Sequence, residues 1–290
     1  MSGATSAPFG SAPDVAELTR DERLKRLLQP RRRSLLARYE TAIVVIISLA
    51  VVFSIWQAAV ELGLVKRSFL PAPTDIFIAG VHLAQTGVLW KHLSYSAFNF
   101  VVGFAVAALV GIPLGLLMGT NRRLAIAISP YILTINAAPR IAFISLLIIW
   151  FGLGIQSKII LIVLSAFFPI VINAWTGARV VDPVLLRAGK SYGAGGWRLF
   201  WRVIIPFSLP FIMAGLRQGI GRGIVGIVGS ELFGTNIGIG YLIITSGFNF
   251  RIPDLFVGVL VLAFMGIVAN ELIEFAERRM APWRRPVSEV

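Results

Sequence analysis

Residues 187–210 read "RAGKSYGAGGWRLFWRVIIPFSLP": basic, glycine-rich, with two tryptophans, and closing on two prolines. On either side the chain is close to pure hydrocarbon. The whole chain of 290 residues is 57% hydrophobic, with a mean hydropathy of +0.81, well above the apolar share of a soluble domain. Apolar stretches of about 18 residues or more, the length that crosses a bilayer as a helix, recur along most of its length. The fold class is therefore an all-α integral membrane protein, and 187–210 is a polar element standing between two of its spans.

Working outward, the apolar runs predict six transmembrane helices at 41–62, 94–118, 125–149, 156–178, 209–231 and 254–276. The third holds Pro130 and Pro139 and is expected to be broken or kinked. Residues 1–40 form a basic tail with "RRR" at 31–33 and a possible surface helix in "LTRDERLKRLL" (18–28). The first apolar run is too long for a signal-peptide h-region. Residues 41–276 make the transmembrane domain and 277–290 a second tail. Between the first two spans, "PAPTD" (71–75) reads as a helix start, with Thr74 or Asp75 as its cap. No internal repeat is evident. With the N-terminus inside, nineteen Lys and Arg fall on the inner side and five on the outer (Lys66, Arg67, Lys91, Lys158, Arg251). This imbalance predicts that both termini and the 187–210 segment face the cytoplasm. The net charge of +13 is thus mostly a topology signal, and no nucleic-acid partner is expected.

Within the segment, "GKS" (189–191) imitates a phosphate-binding loop, but that motif requires a glycine where Val184 stands, and no strand precedes it. Nucleotide binding is rejected here. Asp182 can cap a helix that starts at Pro183. Gly193 supplies a stop. A second short helix follows, with Trp197, Phe200 and Trp201 on one face and Arg198 and Arg202 on another. Pro206 and Pro210 should forbid a smooth run into the next span. Interfacial anchoring explains the tryptophans and arginines; it does not explain the elbow or the prolines, which suit a stiff part inserted in a partner's cleft.

The spans themselves carry little chemistry. There is no cysteine, and His82 and His92 are ten residues apart, which suits interfacial polar residues better than a metal site. Gly111, Gly115 and Gly119, and again Gly215, Gly219 and Gly223, recur every fourth residue, a pattern for close helix packing in lipid. Arg140, Arg217 and Arg222 lie within spans. Such residues tend to face a cavity or a partner; Arg217 and Arg222, five apart, point to different sides. Glu231, near a span end, is the one acid that an ion-coupled secondary transporter could use, and no catalytic cluster supports a membrane enzyme.

The segment resembles the "EAA" loop of permease subunits of bacterial ABC importers. Arg187, Ala188 and Gly189 stand at E-A-A, Gly193 at the glycine, and Val203, Ile205 and Pro206 at the closing I-x-L-P. Arg187 and Gly189 depart from the pattern, while the spacing is kept. "LPAPTDI" (70–76), "SYSAFNFVVGF" (94–104), "APRIAFISLLIIWFGLG" (138–154) and "SELFGTNIGIGYLI" (230–243) are similar to the branch importing nitrate, sulfonates, taurine or bicarbonate, with Asn99 where that branch often has arginine. The resemblance implies a multi-pass subunit of the bacterial inner membrane that does no covalent chemistry and binds no cofactor. It implies cytoplasmic ATPase partners holding ATP and Mg, a periplasmic solute-binding protein, a second permease copy (a homodimer is expected), and surrounding lipid. Residues 182–206 would be the coupling loop; Asn99, Arg140, Arg217, Arg222 and Glu231 would be candidates for the translocation path. The implied solute is a small anion, with a neutral heterocycle such as a thiamine precursor as the alternative.

Overall fold

The computed structural model describes residues 35–232 and 235–280, and every regular element among them is helical. The tail helix expected at 18–28 and most of both tails lie outside these residues. The chain forms two units, one through Trp56 and one from Gln57 onward. The first is the apolar part of α1 (Leu35–Glu61), exposed from Ile43 through Phe53. A helix that is apolar on every side is built for lipid.

The second unit continues with α2 (Pro73–Gln85), α3 (Val88–Thr120), α4 (Arg122–Ala137), α5 (Phe143–Phe151) and α6 (Ile155–Arg179). It goes on with α7 (Pro183–Ser191), α8 (Gly196–Leu199), α9 (Ile205–Glu231), α10 (Ile239–Phe248) and α11 (Ile252–Met280). Its core is α6 packed between α3 and α9, with Ala107, Leu116, Ala166, Ile170, Ala174, Met213 and Leu216 buried together. The small-residue stripes make this approach possible. A Cβ on Gly115 would lie 2.5 Å from the Val171 carbonyl oxygen and 2.7 Å from the Ala174 Cβ, so only hydrogen fits there.

The structure corrects one expectation, does not reproduce the count of six spans, and bears out two others in detail. Among the described residues five helices are long and apolar enough to span, and α10 is a shorter apolar one; six continuous spans are not found. The break expected in 125–149 is present: the segment is two helices, α4 and α5, joined by a 3-10 turn at Arg140–Ala142. The break falls at Pro139, whose ring holds Ala138 extended (φ −69°, ψ 143°), while Pro130 sits inside α4. Pro206 and Pro210 do not interrupt the fifth span. A π-turn at Phe200–Ile204 leads straight into α9, and its wide ring is closed by the Ile205 N–H donating to the Phe200 carbonyl. Lastly, of the two caps expected for α2 it is Asp75 that acts, accepting the Ala72 N–H at 3.1 Å, while Thr74 bonds Gln57 at 3.1 Å.

Candidate functional site: a surface elbow and a buried polar axis

The elbow is built by local bonds. Asp182 Oδ1 accepts the Val184 N–H at 2.7 Å and opens α7, none of whose residues is buried. At the other end, Gly193 N–H donates to the Lys190 carbonyl at 2.9 Å and Ala194 N–H to the Gly189 carbonyl at 3.0 Å. This paired closure requires a left-handed residue, and Gly193 has φ +76°. Arg187 and Ala188 stand on the exposed side of α7. Gly189 faces inward, where Leu199 Cδ1 would lie 2.7 Å from an added Cβ. That contact is the tip of a flexible side chain, so the alanine usual at this position would need only a small shift of Leu199. Val203, Ile205 and Pro206, half-buried, carry the chain into the core. Phe200 packs on the core cluster and stacks on Trp197 at 5.7 Å. Trp197 meets Trp201 edge-on at 5.6 Å, and both tryptophans are largely exposed. The result is a stiff, aromatic, solvent-facing knob fixed to the foot of α9.

Inside the bundle the predicted residues separate into different environments. Arg217 pairs with Glu277, tying α9 to α11. Glu231 is buried (1% exposed); it accepts from the Ser96 hydroxyl at 2.7 Å and from the Gly240 N–H at 2.8 Å. Ser96 in turn accepts the Ile239 N–H at 2.8 Å, and the Gly238 N–H reaches His92 Nδ1 at 2.9 Å. His92, expected as an interfacial polar residue, is a buried clamp residue near the start of α3. The carboxylate sits at the N-terminal end of α10, where exposed N–H groups favour negative charge. Asn99 is fully buried, with neither amide atom hydrogen-bonded among the described residues. Arg140 and Arg222 come together, both donating to Asn136 Oδ1, at 2.7 and 3.2 Å. The two like charges share one neutral acceptor, and neither forms a salt bridge among the described residues. No group of three or more His, Cys, Asp or Glu able to hold a metal occurs among the described residues.

The bridging Asn136 and the clamp partner Ser96 are not singled out by the sequence, which marks His92 only as a polar residue. Asn136 lies one turn before Arg140 across the helix end, a spacing that could have flagged it. Nothing local connects Ser96 to Glu231.

A helical bundle that crosses the membrane repeatedly, with two arginines brought together on Asn136 and a rigid knob at one end, has the build of a transport subunit. The chain belongs to the family of binding-protein-dependent transport system inner membrane components, whose pattern matches residues 111–286. It is 33% identical to a putative aliphatic sulfonates transport permease, SsuC, of Bacillus subtilis, over 81% of this chain and 85% of that one. It is also 33% identical to the taurine transport system permease TauC of Escherichia coli, over 83% and 89%. The formylaminopyrimidine transport permease ThiX of Halalkalibacterium halodurans is 29% identical over 80% and 92%. The chain is an ABC-type permease of the sulfonate and taurine branch, and its relatives are transport subunits, not enzymes.

Proposed function

We propose that this chain is the translocation subunit of an ATP-driven importer for a small anionic solute of the sulfonate or taurine type. Its cytoplasmic ATPases hold ATP and Mg, a periplasmic protein delivers the solute, and a second copy of the chain completes the path. In this reading residues 182–206 dock in the ATPase, both termini lie in the cytoplasm, and the chain binds no cofactor. The observation that carries it is the elbow: a capped helix, a left-handed glycine closure and an exposed aromatic cluster feed without a flexible linker into α9. A soft loop would absorb a push, whereas this one transmits it to the span that bears Arg217, Arg222 and Glu231. The similarity to ThiX supports a second reading, with a neutral pyrimidine as solute.

Uptake decides between them. Cells making the permease with its neighbouring ATPase and binding protein should accumulate labelled taurine or ethanesulfonate only when the ATPase is intact. Accumulation of a formylaminopyrimidine, uncompeted by sulfonates, would favour the second reading. Uptake that persists without the ATPase would refute both and point to a secondary transporter.

A further inference from the structure

Arg140 and Arg222 share one neutral acceptor. Arg140 Nη2 takes Asn136 Oδ1 at 2.7 Å and the Asn136 carbonyl at 3.1 Å, and Arg222 Nη1 takes the same Oδ1 at 3.2 Å. Among the described residues neither forms a salt bridge. Arg140 Nε is buried without any hydrogen-bond partner. Each guanidinium carries five N–H donors in a planar fork, and most of these are unused here. The Arg140 fork lies over the Phe168 ring, 5.8 Å from its centroid, which fixes its plane.

Both arginines line a cavity of about 360 Å³, walled by Leu161 and Val225, with Ser165 and Gly221 at its side. Its depth follows from helix geometry. Ser165 is ten residues from the start of α6 and Arg222 nine from the end of α9. At 1.5 Å per residue each lies about 15 Å or a little less from a helix end, near the middle of a ~30 Å hydrocarbon layer. The break after α4 also belongs here. Irregular backbone at membrane depth is tolerated where it lines a cavity or is buried in protein, and the turn at Arg140–Ala142 aims the Arg140 side chain into this one.

We propose that this cavity is an anion-binding site at mid-membrane, in which the oxyanion head of a small organic acid takes the place of the Asn136 amide oxygen between the two guanidinium groups. Leu161 and Val225 then cover a short apolar tail. A single neutral oxygen leaves two cations uncompensated; an oxyanion neutralises charge and fills the forks bidentately. The proposal rests on the reading of the chain as an anion permease and assigns that anion its seat.

The test uses the purified full chain in detergent and the thermal unfolding midpoint as readout. Ethanesulfonate is titrated at constant ionic strength against chloride. Ethanesulfonate should raise the midpoint saturably and chloride should not. Arg140→Gln and Arg222→Gln should each weaken the apparent affinity at least about ten-fold, the loss expected when a charge-assisted hydrogen bond is removed. Arg278→Gln, on the exposed face of α11 where Arg278 pairs with Glu274, should leave it unchanged. Gly221→Leu keeps both charges, and its Cβ meets nothing within 4 Å, so the backbone has room for a side chain there, which should plug the cavity with a similar loss. A saturable shift that survives in Gly221→Leu and in both arginine variants would overturn this site while leaving the anion reading intact. A wild-type chain with no saturable response to ethanesulfonate, sulfate or bicarbonate would overturn the site and the anion reading together.

Discussion

A buried carboxylate in a membrane bundle needs hydrogen bonds or a counter-charge, and Glu231 accepts from two groups on two elements: the Ser96 hydroxyl, which itself accepts the Ile239 N–H, and the Gly240 N–H. That clamp leaves no room beside Gly238, where an added Cβ would lie 2.3 Å from the Glu231 carboxyl, at φ +122°. Gly238→Ala should therefore lower stability by about 1–3 kcal/mol, the usual cost of overpacking, read as a drop in the unfolding midpoint in detergent. An unchanged midpoint would mean that the joint between α9 and α10 is loose. Residues of this kind were only half legible in the sequence. Glu231 stands out as an acid in an apolar run, but its partner Ser96 is 135 positions away. The Asn136–Arg222 contact spans 86 positions. Pairings at that range depend on how helices pack, and no spacing rule reaches them.

Helices and their joints were more legible, because hydrophobic length and capping are local. The Asp182 cap and the Gly193 turn can be read from a dozen residues. Which proline breaks the third apolar run could not: Pro130 and Pro139 look alike in sequence, and α4 accommodates Pro130 while the chain opens at Pro139. Likewise Pro206 looked like a stop, yet the π-turn before it absorbs the mismatch. The glycine stripe on α3 is a firm element-scale expectation. Gly115→Val would press on the Val171 carbonyl, a backbone atom that cannot swing aside. α3 and α6 would have to separate, at more than the ~1–3 kcal/mol of ordinary overpacking. The variant should give little monodisperse protein on size exclusion; wild-type yield and midpoint would show that these helices do not form the rigid core.

At the scale of the whole molecule, the proposed orientation has a direct check, because the chain has no cysteine of its own. A single Arg67→Cys should react with an impermeant maleimide on intact spheroplasts, and a reporter fused after residue 285 should be active only in the cytoplasm. Labelling of residue 67 only after the membrane is opened would reverse the charge-based topology.

The central claim is that ATP-driven closure reaches the spans through the elbow at 182–206. At Gly193 an added Cβ meets nothing within 4 Å in this chain, so the cost of substitution within the permease comes from the left-handed backbone, about 1–2 kcal/mol for an L-residue and more for a β-branched one. Asparagine tolerates that conformation. The decisive measurement is solute-stimulated ATP hydrolysis by the permease reconstituted with its ATPase and binding protein, with ATPase co-purification recorded alongside. Gly193→Asn should keep both near wild type, while Gly193→Val should retain little ATPase and lose the stimulation. A Gly193→Val permease that holds its ATPase at wild-type yield and hydrolyses ATP with normal solute stimulation would contradict the account.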